Sequence, residues 1–298
     1  MTDYTPKVER LRNNPIIRPN MDYRMGDNIN GPSLIQVPDW VRDRLGKYYL
    51  YFGHHNGRYI RLAYADELEG PWRIYSEGVL SLEDSHFEGH IASPDVHVDH
   101  KIGHIRMYFH GSNTVSGGGT GKDGAQFTRV SISRDGLNFN ADSELLANPY
   151  LRAFQWNGNH YAIAMPGVFY RSENGMSNFE DGPTLFTENM RHSAVIVDDN
   201  VLQIIFTMVG DSPERIKLST VDLSDDWMNW TASDPIDVLS PELPWEGSEL
   251  PQKPSKRGLI DGQVNQLRDP AIYQEDGLTY LLYSIAGESG IAIAELTF

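Results

Sequence analysis

The sequence predicts an all-β protein that folds as a five-bladed β-propeller. Short alternating runs of apolar and polar residues, broken by Gly, Asp, Asn and Pro, dominate the chain, whereas long amphipathic helical periods are scarce. A unit of three strands, a turn and an outer aromatic residue recurs about five times. Such a unit cannot bury both of its faces alone, so neighbouring units stack around an axis and close into a ring.

The five units follow one another, and each begins with the strand that we expect to lie innermost. Their predicted strands cover 30–37, 47–53 and 59–65; 90–99, 105–111 and 127–133; 150–156, 160–164 and 167–172; 191–197, 201–207 and 215–221; and 267–273, 279–284 and 291–296. We expect a single domain, 1–298, with blades at about 29–75, 90–142, 148–183, 190–235 and 263–298. Because the fifth unit stops after three strands, the lead-in 1–28 is expected to close that blade. A β-sandwich is the alternative, and the repeated internal order argues against it.

Composition narrows the classes of partner. With 41 acidic and 25 basic residues, the formal net charge is −16. Such a surface repels phosphate backbones and anionic lipid, so we expect no nucleic-acid partner and no membrane partner. The absence of cysteine excludes disulfides and thiolate chemistry. The chain starts with polar residues and has no run near the ~20 apolar residues of a membrane span, so we expect a cytoplasmic protein, with secretion after removal of a signal peptide as the alternative.

Two short motifs resemble those of a known superfamily. The segment 92–96 reads Ala-Ser-Pro-Asp-Val, and 268–272 reads Arg-Asp-Pro-Ala-Ile, followed by Tyr-Leu-Leu-Tyr-Ser at 280–284. Both are similar to strand motifs of the five-bladed propeller glycoside hydrolases, which include arabinanases, β-xylosidases, invertases and anhydro-galactosidases. The resemblance covers nearly the whole chain as a fold and implies a carbohydrate substrate.

The resemblance also implies three catalytic carboxyl groups at the starts of innermost strands. These are a first-blade Asp as base, a second-blade Asp that tunes pKa values and a third-blade Glu as acid. Only the second is present here, as Asp95, because 30–33 reads Asn-Gly-Pro-Ser and 150–153 reads Tyr-Leu-Arg-Ala. Inverting hydrolysis needs one carboxyl as acid and one as base, so the usual mechanism cannot simply be carried over.

Strand direction indicates which residues replace the missing carboxyl groups. If innermost strands start at the mouth of an axial funnel, the antiparallel second strands end there. We expect Asp95, His192 and Asp269 to be catalytic, with His192 as acid or base near neutral pH. His97 and Asp99 alternate with Asp95, which favours a hydrogen bond on the strand face over catalysis. The predicted substrate-binding residues are Asn30, His54, Glu88, His90, His110, Arg152, Arg191, Arg268 and Trp245.

Several of these residues also have a structural interpretation. Asp269 is equally suited to bracing a turn, and Arg268 to pairing with it. Arg152 and Arg191 suit a carboxylate or sulfate on the substrate, or else the surplus acids of the chain itself. Trp245 is either a sugar-stacking platform on a long connection or a residue that tucks this loop onto a blade.

The sequence is compatible with three functions. The first is a glycoside hydrolase-like enzyme that needs no cofactor and cleaves a small or acidic glycan in the axial funnel, with Asp95 and His192 replacing the usual carboxyl pair. The second is a metal-dependent hydrolase or lyase, in which His54, His110 and His192 hold a divalent ion (Ca, Zn or Mn) on the axis. The third is a non-catalytic sugar-binding propeller. In each case the expected partner is a small molecule or an oligosaccharide.

Overall fold

The computed structural model describes residues 5–114, 126–260 and 262–298. Its architecture is all-β, with five four-stranded antiparallel sheets arranged as the blades of a propeller, which confirms the predicted fold class. Within the described ranges the helical segments are two short 3₁₀ turns, at Trp227–Asn229 and Pro244–Glu246. No helix in those ranges has the length and apolar character needed to cross a bilayer.

The strands are numbered in chain order from β1, at Lys7–Arg10. The first blade contains β2 Asn30–Gln36, β3 Tyr48–Gly53, β4 Tyr59–Ala65 and β5 Arg73–Ser81. The second contains β6 Ile91–Asp99, β7 His104–Ser112, β8 Gln126–Ser133 and β9 Asn140–Ala141. The third contains β10 Arg152–Trp156, β11 Asn159–Ala164, β12 Val168–Ser172 and β13 Glu180–Thr184. The fourth contains β14 Met190–Asp198, β15 Val201–Met208, β16 Ile216–Asp222 and β17 Ile236–Leu239. The fifth contains β18 Arg268–Glu275, β19 Leu278–Ser284 and β20 Ile291–Thr297, with β1 on its outer edge.

Each pair of neighbouring blades encloses an apolar layer. Successive side chains of a strand point to opposite faces of its sheet. In β2, for example, Leu34 packs toward the fifth blade and Ile35 toward the second. In β3, Leu50 likewise packs toward the fifth blade and Tyr51 toward the second. Five such layers follow one another around the ring, so that each blade is covered on both faces.

The start of the chain joins its end. Strand β1 pairs antiparallel with β20 and so completes the fifth sheet. Beyond β1, the backbone N–H of Ile17 donates to the carbonyl of Ile291. The guanidinium of Arg10 lies 2.7 Å from the buried carboxylate of Glu246, which also accepts a hydrogen bond from Tyr283 at 2.9 Å. The ring is therefore held at this point by a strand pairing and by a buried ion pair.

A left-handed residue marks the start of every innermost strand. These residues are Gly31 (φ 59°), Ser93 (48°), Tyr150 (60°), His192 (46°) and Asp269 (48°). In β2, β6, β14 and β18 the pairing register shifts at this residue, which is the signature of a β-bulge. A bulge turns a side chain out of the ladder, and a non-glycine residue in this conformation is uncommon. Four of the five strand starts therefore present a side chain from a left-handed residue, and the first blade has Gly31 at this position.

Candidate active site

Aromatic side chains from three blades stack beside the axis. The ring centroids are 5.7 Å apart for His90 and His110, 4.3 Å for His110 and Tyr150, and 4.6 Å for Tyr150 and His192. The Nε2 atom of His192 lies 3.3 Å from Oδ1 of Asp269. We call these five residues the axial cluster. The structure thus brings four predicted site residues together and adds Tyr150, which the sequence analysis did not select.

Burial keeps the imidazoles of the axial cluster neutral. It lowers the pKa of His90 to about 4 and that of His110 well below the usual range. Burial and the positive charges of Arg191 and Arg268 likewise lower the pKa of His192 well below its usual range. A histidine that stays neutral can accept a proton but has none to spare as an acid, so this environment favours the base role over the acid role among the two expected for His192.

Asp269 is the carboxyl group of the axial cluster, and its environment favours the protonated form. Its side chain is 2% exposed, and Oδ2 has no hydrogen-bond partner in the described part of the chain. Burial and the negative charge of Glu288 raise the pKa of Asp269 to about 6. Arg191 can only donate, and its Nη2 lies 2.9 Å from Nε2 of His192, so that nitrogen accepts. Because Nε2 then carries no proton, it cannot donate to Oδ1 of Asp269, and the ionised form of Asp269 gains no hydrogen bond from His192.

Glu288 is the ionised counterpart of Asp269. Its Oε1 accepts from Nη1 of Arg268 at 3.1 Å and lies 3.2 Å from Nδ1 of His55, and its Oε2 accepts from Asn28 at 2.6 Å. Burial alone would raise the pKa of Glu288, but His55, Arg268 and Asn28 outweigh burial and hold this pKa at about 2. This centre therefore contains two buried carboxyl groups, Asp269 with a raised pKa and Glu288 with a lowered pKa.

Two of the predicted arginines are engaged by carboxylates of the protein itself. The side chain of Arg268 is fully buried and lies 3.0 Å from Glu214 and 3.1 Å from Glu288. It also donates to the amide oxygen of Gln266 at 2.8 Å. Arg191 lies 3.7 Å from the same Glu214. These contacts support the structural interpretation of both residues, and of Arg268 as a partner of buried acids.

The third predicted arginine holds three blades together. Arg152 is buried at the start of β10. Its Nη1 donates to the carbonyl of Pro94 in the second blade at 3.1 Å, and its Nε donates to the carbonyl of Ser193 in the fourth at 2.9 Å. The Nε and Nη1 donors of Arg152 are thus committed to backbone carbonyls of the neighbouring blades. The expectation that Arg152 and Arg191 bind an acidic substrate is therefore not supported.

Glu288 lines a cavity of about 290 Å³, which we call the axial cavity. Its wall also includes Asp27, Asn28 and the predicted residue His54, and it contains no Arg or Lys side chain among the described residues. The predicted residue Asn30 lies behind this wall, with Nδ2 3.4 Å from Oδ1 of Asn28. The axial cavity therefore combines two acidic side chains with apolar ones, among them Leu259 and Ile260.

The hydrogen bonds of Asp95 lie outside the axial cluster. Its Oδ2 lies 2.8 Å from Nε2 of His97 and accepts a backbone N–H from the third blade at 2.9 Å, which confirms the hydrogen bond expected on this strand face. No hydrogen bond or ion pair joins Asp95 to His192 in the described ranges, and His192 pairs with Asp269 instead. The reason is the alternation in β6: the left-handed Ser93 occupies the axial position of this blade, and Asp95 and His97 face the third blade.

Two further predicted residues lie outside the axial cavity. Glu88 is exposed at the surface, where its backbone N–H donates to the carbonyl of Ser112. Trp245 is half-buried and packs against the apolar layer between the fourth and fifth blades. This packing supports the second of the two expected roles, in which Trp245 anchors its loop to the blades.

The structure does not assemble the histidines proposed as metal ligands. Within the described residues, no three His, Cys, Asp or Glu side chains are arranged so that they could hold a metal ion. His54 lines the axial cavity, whereas His110 and His192 stand on either side of Tyr150. The metal-dependent interpretation therefore gains no support from their placement.

Sequence reasoning missed three residues of this centre, and two of them left a signal. Glu288 follows β19 as His54 follows β3, so the rule that selected residues at second-strand ends could have found it. Tyr150 occupies in its repeat the position of His192 and Asp269. Glu214 precedes a third strand, and nothing in the repeat distinguishes that position.

Comparison with known proteins places the chain in a family. No protein-family model matches the sequence. The uncharacterized protein R118 of Acanthamoeba polyphaga mimivirus is 36% identical over 326 residues, which cover 97% of this chain and 90% of R118. This chain belongs to the R118 family.

The R118-family fold also occurs in solved glycoside hydrolase structures. A structure from work on GH130, a family of mannoside phosphorylases with hydrolases that target β-1,2 mannosidic linkages in Candida mannan, has a TM-score of 0.71 at 11% identity, covering 99% of this chain and 95% of that chain. CoXyl43, a GH43 β-xylosidase/α-arabinofuranosidase from a compost metagenome, has a TM-score of 0.63 at 14% identity, covering 98% and 95%. The GH43_1 enzyme from Xanthomonas citri has a TM-score of 0.60 at 14% identity, covering 98% and 92%. These likenesses confirm the resemblance to five-bladed propeller glycoside hydrolases at the level of the fold.

Proposed function

We propose that this R118-family protein hydrolyses a glycosidic bond at the axial cavity, with Asp269 as the general acid and Glu288 as the ionised carboxylate. The observation that carries the proposal is the opposite displacement of two buried pKa values, to about 6 for Asp269 and about 2 for Glu288. Glycoside hydrolysis needs one protonated and one ionised carboxyl group, and their environments set the two roles. The shared fold with glycoside hydrolases supports the same reaction class.

In the proposed reaction, Asp269 transfers its proton to the leaving-group oxygen as the glycosidic C–O bond breaks. Water forms the new C–O bond and releases its proton to bulk solvent, because a carboxylate with a pKa of about 2 is too weak a base to take it. The negative charge of Glu288 stabilises the positive charge that develops on the sugar ring. Asp269 is not part of the cavity wall, so productive binding requires the glycosidic oxygen to reach its unbonded Oδ2. These steps use only side chains and water.

The axial cavity suits the end of a small neutral glycan. Its volume of about 290 Å³ lies near the lower end, about 300 Å³, of the range for ligand pockets, which favours one sugar unit over several. Asp27 and Glu288 line it, and no Arg or Lys among the described residues does, although Arg268 pairs with Glu288 from behind the wall. A carboxylate or sulfate on the sugar would be repelled. Of the two substrate classes expected from the sequence, we therefore retain the small glycan.

Turnover of aryl glycosides tests the proposal. We expect hydrolysis of at least one 4-nitrophenyl glycoside in a panel that includes the β-xyloside, α-arabinofuranoside and β-mannoside. Asp269→Asn and Glu288→Gln should each lower kcat by about 100-fold or more. Asp276→Asn is the matched control, because Asp276 is an exposed turn residue of the same blade with φ 51°, which Asn tolerates. Turnover that survives unchanged in both site variants would contradict the proposal.

The leaving group separates the two roles. A phenol that departs readily needs little help from an acid, whereas a sugar alcohol needs a full proton. We therefore expect Asp269→Asn to lose far less activity on a 2,4-dinitrophenyl glycoside than on a disaccharide of the same sugar. Glu288→Gln should lose activity on both substrates alike. The assignment is refuted if Glu288→Gln is the variant that keeps activity on the 2,4-dinitrophenyl glycoside, while Asp269→Asn loses activity on both substrates alike.

A non-catalytic sugar-binding propeller is the second candidate. The observation that favours it is the engagement of Glu288 by His55, Arg268 and Asn28, with Asp269 only 2% exposed. Isothermal titration calorimetry distinguishes the two functions. Binding of a monosaccharide that Glu288→Gln abolishes, with no turnover of any glycoside in the panel, would establish binding without catalysis.

A further inference from the structure

A second cavity lies at the other ends of the innermost strands, between the second and third blades. Its volume is about 590 Å³. It is lined by the last residues of β6 and the turn that follows, and by the turn between β10 and β11. The axial cavity is instead built from segments that precede innermost strands or follow second strands. We call the second cavity the interblade cleft.

Arg106 lines the interblade cleft and retains an unused donor there. The residue is 7% exposed, and its Nε has no hydrogen-bond partner in the described part of the chain. Its Nη1 donates to the hydroxyl of Tyr108 at 3.2 Å and lies 3.4 Å from the carbonyl of Gly175. These bonds fix the guanidinium plane, so the free Nε–H has a set direction. A buried guanidinium with an unpaired N–H is costly unless a ligand or water meets it.

Lys101 supplies a second fixed positive charge at the same cleft. Its side chain is exposed, and it pairs with no carboxylate in the described ranges. Three of the ten histidines of the chain, His97, His100 and His160, also line the cleft. Imidazoles add N–H donors in the neutral form and positive charge when protonated. The cleft thus gathers five side chains that can donate to an anion, although the chain as a whole has a net charge of −16.

The acidic side chain that lines the cleft, Asp99, forms only a long ion pair with Arg106 and otherwise bonds its own turn. Oδ1 of Asp99 accepts the backbone N–H groups of Lys101 and Ile102 at 3.0 and 3.1 Å, and its Oδ2 stands 3.8 Å from Arg106, beyond hydrogen-bond distance. Asp95 is paired with His97 at 2.8 Å. The carboxylates therefore shape the turn and orient the imidazole, and Arg106 keeps its Nε–H for a ligand.

We propose that the interblade cleft binds a small molecule through an oxyanion, a phosphate or carboxylate group, with Arg106 and Lys101 as its charged partners. The rigid fork of Arg106 matches two oxygens of such a group. The cleft volume exceeds that of a bare ion, so the oxyanion is carried by a molecule about the size of a sugar phosphate. This site is independent of the proposed hydrolysis at the axial cavity.

Isothermal titration calorimetry on the full chain tests the proposal, with glucose 6-phosphate, inorganic phosphate and glucose as probes. We expect glucose 6-phosphate to bind and Lys101→Gln to weaken this binding about tenfold, the effect of one charge-assisted hydrogen bond. Arg106→Lys keeps the charge but removes the Nε donor, and it should weaken binding at least as much. Lys253→Gln, which removes a charge from another exposed loop, should change nothing.

The probes also identify the ligand. Tighter binding of glucose 6-phosphate than of phosphate supports a phosphorylated molecule, and equal binding supports the free oxyanion as the ligand. The proposal is overturned if glucose 6-phosphate does not bind, or if its affinity is the same in the wild type and in Lys101→Gln. It is also overturned if glucose binds as tightly and responds equally to the variants, because the cleft would then recognise the sugar. Lys101 is exposed, so its variant stays informative even if Arg106→Lys fails to fold.

Discussion

Arg268 is the side chain on which the charges at the axis depend. It is fully buried and bridges Glu214, at 3.0 Å, to Glu288, at 3.1 Å. Both carboxylates are themselves buried, and burying a charge is favourable only when a partner of opposite sign is close. Because Arg268 also lowers the pKa of His192 and of Glu288, it sets protonation states as well as stability.

Removing this guanidinium should therefore destabilise the fold strongly. We expect Arg268→Met to lower the free energy of unfolding by about 3 to 5 kcal/mol, because it leaves two buried carboxylates without their partner. Arg58→Met is the control, since Arg58 forms an exposed ion pair with Glu83 and should change stability little. Urea denaturation measures both. Adding Glu214→Gln to Arg268→Met should restore part of the loss, and an equal, small effect of both single variants would refute this role.

Asp269 should make stability depend on pH in a direction opposite to that of a typical carboxylate. Its pKa rises from 3.8 to about 6 on folding, so the folded state holds the proton more tightly. The resulting stabilisation is complete below pH 3.8 and is lost as the pH rises through 6. Relative to Asp269→Asn, the wild type should lose about 3 kcal/mol of stability over this window. Urea denaturation at several pH values measures the difference, and a difference that grows with pH would contradict the assignment.

For single residues, the sequence predicted where a side chain lies better than it predicted what that side chain does. Asp269 and His192 were selected because they stand at the starts of innermost strands, and both lie in the axial cluster. Asp95 stands two residues further along its strand than Ser93, and the alternation of side chains turns it away. Which of the predicted groups is protonated depends on burial and on Glu288, which comes from a different part of the chain.

Strand β1 shows how a short element closes a large ring. It has only four residues, yet it pairs with β20 and places Arg10 beside Glu246. Glu246 also accepts the backbone N–H groups of Glu242 and Leu243, at 2.9 and 3.1 Å. This one carboxylate thus ties the first strand to the long connection between the fourth and fifth blades.

Loss of the Arg10 side chain should loosen this closure. We expect Arg10→Met to lower the free energy of unfolding by about 3 kcal/mol, because the buried Glu246 loses its charged partner. Lys7→Met is the matched control in the same strand, since Lys7 pairs with Glu9 in an exposed position, where such pairs contribute little. Thermal and urea unfolding report both effects. Equal stability of the two variants would show that the strand pairing alone closes the ring.

For the molecule as a whole, the repeated pattern was sufficient to predict the fold. Five units with the same internal order imply five blades, and the alternation in each strand fills the layers between them. The charged centre could not be predicted in the same way. Glu214 follows no strand pattern, Glu288 stands four residues beyond the end of β19, and what unites them is their shared contact with Arg268. The family resemblance guided attention to Asp95, whereas the carboxyl pair in this chain lies in the fifth blade.

The most direct test of this centre is the titration of the Asp269 carboxyl group by ¹³C NMR on the wild-type protein, with the resonance assigned by its loss in Asp269→Asn. If Asp269 serves as the acid beside an ionised Glu288, its midpoint should fall at about 6, and Glu288→Gln should lower it, because the charge of Glu288 contributes to the shift. A midpoint at or below 3.8, the ordinary value, would mean that Asp269 is ionised near neutral pH and holds no proton for the reaction.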